Sequence, residues 1–192
     1  MNKILSPFFI KKEFISPLIC EEIISKLSDS ESSEKLIHER FKKLIPKIES
    51  HYETAIMSLT QISFEHFGTN SPGVEPHSEN SSFLKKEGKW LRTSSRDFSA
   101  VLFMSDYQNN IPFDNDYEVY GGKLEFPQHE FGFNPQRGTL IIFPSDPHFI
   151  NLTTAVKAGE LYQARFHAVC KVPFLYNPEN FPGDYTKWFK NQ

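Results

Sequence analysis

Cysteine is nearly absent. Cys20 and Cys170 are the two that 192 positions hold, too few for a disulfide framework or a thiolate zinc site. A reducing, cytoplasmic setting is expected. Positive charge is not in excess either: the formal net charge is −3 and the pI about 6.2. A nucleic-acid partner, which calls for a basic footprint, is therefore not expected. No run of about 18 apolar residues occurs, so no membrane span is expected. The opening MNKILSPFFIKKEFISP has its apolar stretch broken by Pro7, Lys11 and Lys12 and is not expected to act as a signal peptide. What is plentiful is aromatic area: 19 Phe, 7 Tyr and 2 Trp suit a sizeable core. One domain over 1–192 is expected, with the oligomeric state left open.

The pattern changes along the chain. SPLICEEIISKL opens with Ser16 as N-cap and Pro17 at the first helical position, and Leu18, Ile19, Ile23, Ile24 and Leu27 share a face. EKLIHERFKKLIPKIESHYETAIMSLTQISFEHF reads as a second helical stretch, kinked or divided near Pro46. Residues 1–68 thus read as a helical scaffold. From GTNSPGVEPHSEN onward, turn residues separate short strands: 97–105, 122–127, 139–144 and 160–172, with FGFNP as a further short one. Strands without intervening helical patterns point to an antiparallel sandwich or barrel over 69–172. The aromatic tail 173–192 is expected to pack outside or to form part of a substrate cleft.

Chemistry concentrates in two stretches. In GVEPHSEN, His77 and Glu79 are two residues apart, so in extended backbone an imidazole and a carboxylate point the same way. In FPSDPHFINL, His148 follows a proline just past an apolar strand. Two imidazoles and one carboxylate on one face, with open positions left over, form the facial triad of non-haem iron(II). His129 and His167 carry no ligand spacing and are expected to be ordinary histidines.

From about Pro76 to Val172 the sequence resembles the 2-oxoglutarate- and iron(II)-dependent dioxygenases, in their prolyl 4-hydroxylase-like branch. PHSEN resembles the first metal motif, RDFSAVLFMSD the strand after it, YGGKLEFP a Gly-Gly-x-Leu-x-Phe element, PQRGTLIIFPSDPHFI the strand ending in the second metal histidine, and VKAGELYQARFHAV the strand that binds 2-oxoglutarate. The resemblance implies an α+β, mainly β protein. Its core would be a double-stranded β-helix, or jelly roll, with N-terminal helices packed outside. It also implies iron(II) held by His77, Glu79 and His148, 2-oxoglutarate as co-substrate, and ascorbate as an optional reductant. The implied activity is hydroxylation of a C–H bond in a peptidyl residue, proline among them, or in a small molecule, with succinate and carbon dioxide as co-products.

Two departures accompany it. Glu79 stands where the family usually has Asp. Leu161 falls where a base would bind the far carboxylate of 2-oxoglutarate. Arg165 shares a strand face with Leu161 and Gln163 and takes that role in this reading, because its planar fork bonds both oxygens of a carboxylate. Lys157 is the second choice. Gly121 and Gly122 are expected to serve a bulge or a close backbone approach. The alternative reading, fed by both departures, is a non-catalytic or cupin-type metal-binding β-barrel module.

Overall fold

The computed structural model describes residues 6–27 and 30–177. The chain opens with β1 (Phe9–Lys11), α1 (Pro17–Ser25) and α2 (Glu31–Tyr52). Ser16 caps α1 by accepting from the Ile19 amide at 3.4 Å, with Pro17 in the first turn. Glu31 and Glu34 stand in the first turn of α2, where carboxylates favour the positive helix end. α2 runs through Pro46 and ends where Glu53 turns left-handed, at φ 52.

That stop corrects the helical reading of the next residues. β2 (Ile56–Leu59) and β3 (Ser63–Phe67) follow, so the first 68 residues hold three strands besides the two helices. Tyr52, Ala55, Ile56 and Leu59 fit a helical period by coincidence. The backbone from Ile56 onward bonds instead to a long strand near the other end of the chain.

The remaining strands are β4 (Val74–His77), β5 (Ser81–Leu84), β6 (Lys89–Arg92), β7 (Phe98–Phe103), β8 (Asp106–Tyr107), β9 (Glu118–Gly121), β10 (Leu124–Phe126), β11 (Phe131–Phe133), β12 (Leu140–Pro144), β13 (Asn151–Thr153), β14 (Val156–Gly159) and β15 (Leu161–Cys170). The major sheet runs β1-β12-β7-β15-β2, with β3 also paired to β15. The minor sheet runs β11-β10-β13-β4. The strands of both sheets pair antiparallel. The protein is a mainly β jelly roll with two helices against it.

Alternation decides which side chains enter the space between the sheets. On β12, Phe143 faces inward and meets Phe126 of the minor sheet, ring centroids 4.8 Å apart. On β15, Phe166 faces outward against Phe41 of α2 at 5.0 Å. Ile37, Phe41, Leu44, Ile48 and Tyr52 form the buried stripe of α2. Gly121, at φ +98, lets β9 pass the Ala155 carbonyl: a Cβ there would lie 2.1 Å from that oxygen. Cys20 and Cys170 are free and buried, and burial pushes their thiols up to about 12 and about 11. No described helix is long and apolar enough to cross a membrane. Of the tail, Phe174 packs on Phe98 at 4.6 Å; 178–192 lie outside the described residues.

The Tyr52 hydroxyl lies 2.8 Å from the Pro7 carbonyl oxygen and 3.0 Å from that of Ile142. It ties the end of α2 to the segment before β1 and to β12 in a buried place. Tyr52→Phe should lower stability by about 1–2 kcal/mol, read as a lower urea midpoint with an unchanged slope. An unchanged midpoint would place the helix anchor elsewhere.

Candidate functional site

The inward face of β15 starts apolar and ends polar: Leu161, Gln163, Arg165, His167, all buried. Opposite, β13 presents Asn151, whose backbone pairs with His77 at the end of β4. Two residues past β4, Glu79 turns its carboxyl group into the same space, with 3% of its side chain exposed. A buried carboxylate needs partners, and this one gathers them from three strands. His77 Nε2 lies 3.3 Å from Oε1, Asn151 Nδ2 donates to Oε1 at 3.3 Å, and His167 Nε2 lies 3.1 Å from Oε2. The Arg165 guanidinium, 8% exposed, donates to Oε1 and also to Asn151 Oδ1 at 3.2 Å. Arg96 stands at the rim, 4.0 Å from Oε2.

Burial alone would raise the Glu79 carboxyl, but Arg165 and the hydrogen bonds from His167 and His77 together hold it well below the usual carboxylate range. The hydrogen bond to Glu79 raises His77. Burial lowers His167, against the pull of the same carboxylate. Further along β15, Gln163 Nε2 donates to Glu65 Oε2 at 2.6 Å, and Glu65 Oε1 lies 3.6 Å from Arg165 Nε. Thr153 Oγ1 on β13 and Gln163 Oε1 on β15 are among the buried polar atoms that lack a hydrogen-bond partner among the described residues.

The structure therefore brings His77, Glu79 and Arg165 together. It does not bring His148 to them, which corrects the inward turn expected of FPSDPH. Asp146 caps a short 3-10 turn, Pro147–Phe149, by accepting from the His148 amide, and its carboxylate also holds His148 Nδ1 at 2.9 Å. The ring is left 60% exposed beside Tyr176. Asn151, three residues on, takes the place opposite His77. Lys157 is exposed on β14, its ammonium over the Tyr120 ring at 5.2 Å. His167, expected to be ordinary, bonds the central carboxylate. The alternation that put Arg165 inside extends by two residues to His167 and could have found it. Nothing in the sequence singled out Asn151.

These residues do not fit an iron(II) triad. Two of the expected donors meet, the third place belongs to an amide, and a guanidinium already neutralises the carboxylate a metal would need. A carboxylate has about four lone-pair sites, two on each oxygen; His77, Asn151 and Arg165 crowd Oε1, and His167 takes one site on Oε2. No group of three His, Cys, Asp or Glu arranged to hold a metal occurs among the described residues.

Breaking a buried ion pair from one side costs about 3–5 kcal/mol, so Glu79→Gln should destabilise the chain on that scale at neutral pH. Its pH profile carries a sign. A depressed carboxyl contributes fully above its unfolded value, about 4.3, and the contribution is lost as pH falls through the folded value. Acid unfolding followed by circular dichroism should therefore be steeper in the native chain than in Glu79→Gln.

No family model matches the chain, and no curated protein matches it. Solved structures do. The viral collagen prolyl hydroxylase of Paramecium bursaria Chlorella virus-1, in its 2OG complex, superposes with a TM-score of 0.63 at 12% identity, over 87% of this chain and 97% of its own. A Pseudomonas putida prolyl-4-hydroxylase gives 0.56 at 14%, over 85% and 88%. A Trichoplax adhaerens prolyl hydroxylase in complex with a hypoxia inducible factor peptide fragment gives 0.55 at 13%, over 85% and 83%. At these identities the likeness is one of fold. The chain has the jelly-roll fold of the prolyl 4-hydroxylase-like 2-oxoglutarate oxygenases.

Proposed function

We propose that this chain is a binding protein on a prolyl hydroxylase fold, whose cleft takes up a segment of another protein without oxidising it. The observation that carries the reading is the Arg165 guanidinium seated on Glu79 inside the sheet sandwich. A cation fixed in the protein supplies the charge that a metal would bring, and it leaves the carboxylate no reason to recruit one. The peptide fragment held by the Trichoplax relative supports a polypeptide occupant for this fold.

A second reading keeps the oxygenase: iron(II) on His77, Glu79 and His148, with Arg165 for 2-oxoglutarate. The fold favours it. It requires Arg165 to leave Glu79 and the His148 ring to turn inward from its Asp146 partner.

Succinate release from 2-oxoglutarate with iron(II), together with calorimetric titration of manganese(II), separates the two. The binding reading expects neither turnover nor a heat of metal binding. It further expects that Asn151→His combined with Arg165→Leu, which removes the guanidinium and supplies a second imidazole, tightens manganese(II) binding at least about tenfold, or about 1.4 kcal/mol. Succinate release by the native chain, abolished in His148→Ala, would establish the oxygenase instead.

A further inference from the structure

We propose that the β5–β6 hairpin beside the cleft is a docking edge for an acidic, extended segment of a partner protein. The inference names the occupant's chemistry and rests on the binding reading only in taking the occupant to be a polypeptide.

The hairpin shows its apolar side chains to solvent. Phe83 is 48% exposed, Trp90 39% and Leu91 49%. Phe83 and Trp90 face each other across the pair, ring centroids 5.3 Å apart, so the aromatic surface is already arranged before anything binds. The two strands pair only with each other among the described residues, which leaves the outer edge of each with unpaired amides and carbonyls. Such an edge is a template for an added strand.

Charge selects the occupant. Lys85, Lys86, Lys89 and Arg92 surround a single acid, Glu87, on a chain whose net charge is −3. Lys89 pairs with Glu87 at 2.6 Å and Arg92 with Asp97 at 2.9 Å. Lys85 and Lys86 have no ion pair among the described residues. A second copy of this hairpin would be repelled; an acidic strand would be drawn in and oriented. A lipid surface fits less well. The tip, Lys85 to Lys89, is the most charged part, and apolar side chains lie on both faces, Phe83 and Trp90 on one and Leu91 on the other. Insertion by either route would bury cations or leave apolar area in water.

Position ties the edge to the cleft. The Asn80 carbonyl accepts from the Thr93 and Ser94 amides at 2.7 and 3.2 Å, and Asn80 Nδ2 donates to the Arg96 carbonyl at 2.9 Å, closing the base of the hairpin. Asn80 adjoins Glu79, and the half-exposed Arg96 guanidinium continues the basic surface to the rim of the site. The base of the hairpin thus adjoins the site.

The test uses the full chain carrying Trp188→Phe, so that Trp90 is the sole tryptophan. The probes are a capped peptide of alternating Glu and Val, its Lys and Val counterpart, and phosphatidylcholine vesicles containing phosphatidylserine. Trp90 emission should shift and saturate with the Glu peptide alone, and Lys85→Glu with Lys86→Glu should weaken that binding at least about tenfold. No response to the Glu peptide, an equal response to the Lys peptide, or a response to vesicles alone would overturn the proposal. Succinate release is scored separately. Turnover with peptide binding intact defeats the non-oxidising reading and leaves the docking edge standing. No turnover with no peptide binding defeats the docking edge alone.

Discussion

One buried carboxylate organises this protein. Glu79 lies just past the end of a minor-sheet strand, and its partners Arg165 and His167 lie on the central strand of the major sheet. The two sheets of a jelly roll ordinarily meet through apolar side chains, and most of this interior does so, with Phe126 on Phe143 as the example. At one end the contact is ionic instead. Two charges withdrawn from water demand close geometry on both sides. Asn151 and His77 supply it by filling the remaining positions around the pair.

The same constraint sets the chemical character of the site. A fold shared with prolyl hydroxylases presents here a carboxylate already neutralised by a guanidinium. Exposed cationic side chains stand around it, Arg96 at the rim and Lys85, Lys86 and Lys89 on the hairpin.

Much of the fold was legible in the sequence. The buried strands β7 and β12 show as apolar runs because both of their faces are covered, and α1 announces itself through Ser16 and Pro17. The strands β2 and β3 did not show, because Ile56 and Leu59 fit a helical period equally well and their partner is about a hundred residues away. Of the site, His77 and Glu79 were visible by their two-residue phase and Arg165 by alternation. His148 misled: a histidine after a strand and a proline looks the same whether the turn aims it in or out, and the Asp146 carboxylate decides for outward. Asn151 carries no signature at all. Its place opposite His77 is a property of strand register, which a single sequence does not display.

Strand β15 is the middle of the major sheet, paired on one side with β7 and on the other with both β2 and β3, yet it ends at Cys170. β2 and β3 have no other partner in that sheet. During synthesis, therefore, two segments made early must wait for one made more than ninety residues later before their backbones are bonded. Until then, these two strands have no sheet partner on the ribosome-bound chain. Such a protein closes its sheet late and in one step, and its dependence on chaperones should be set by how long that interval lasts.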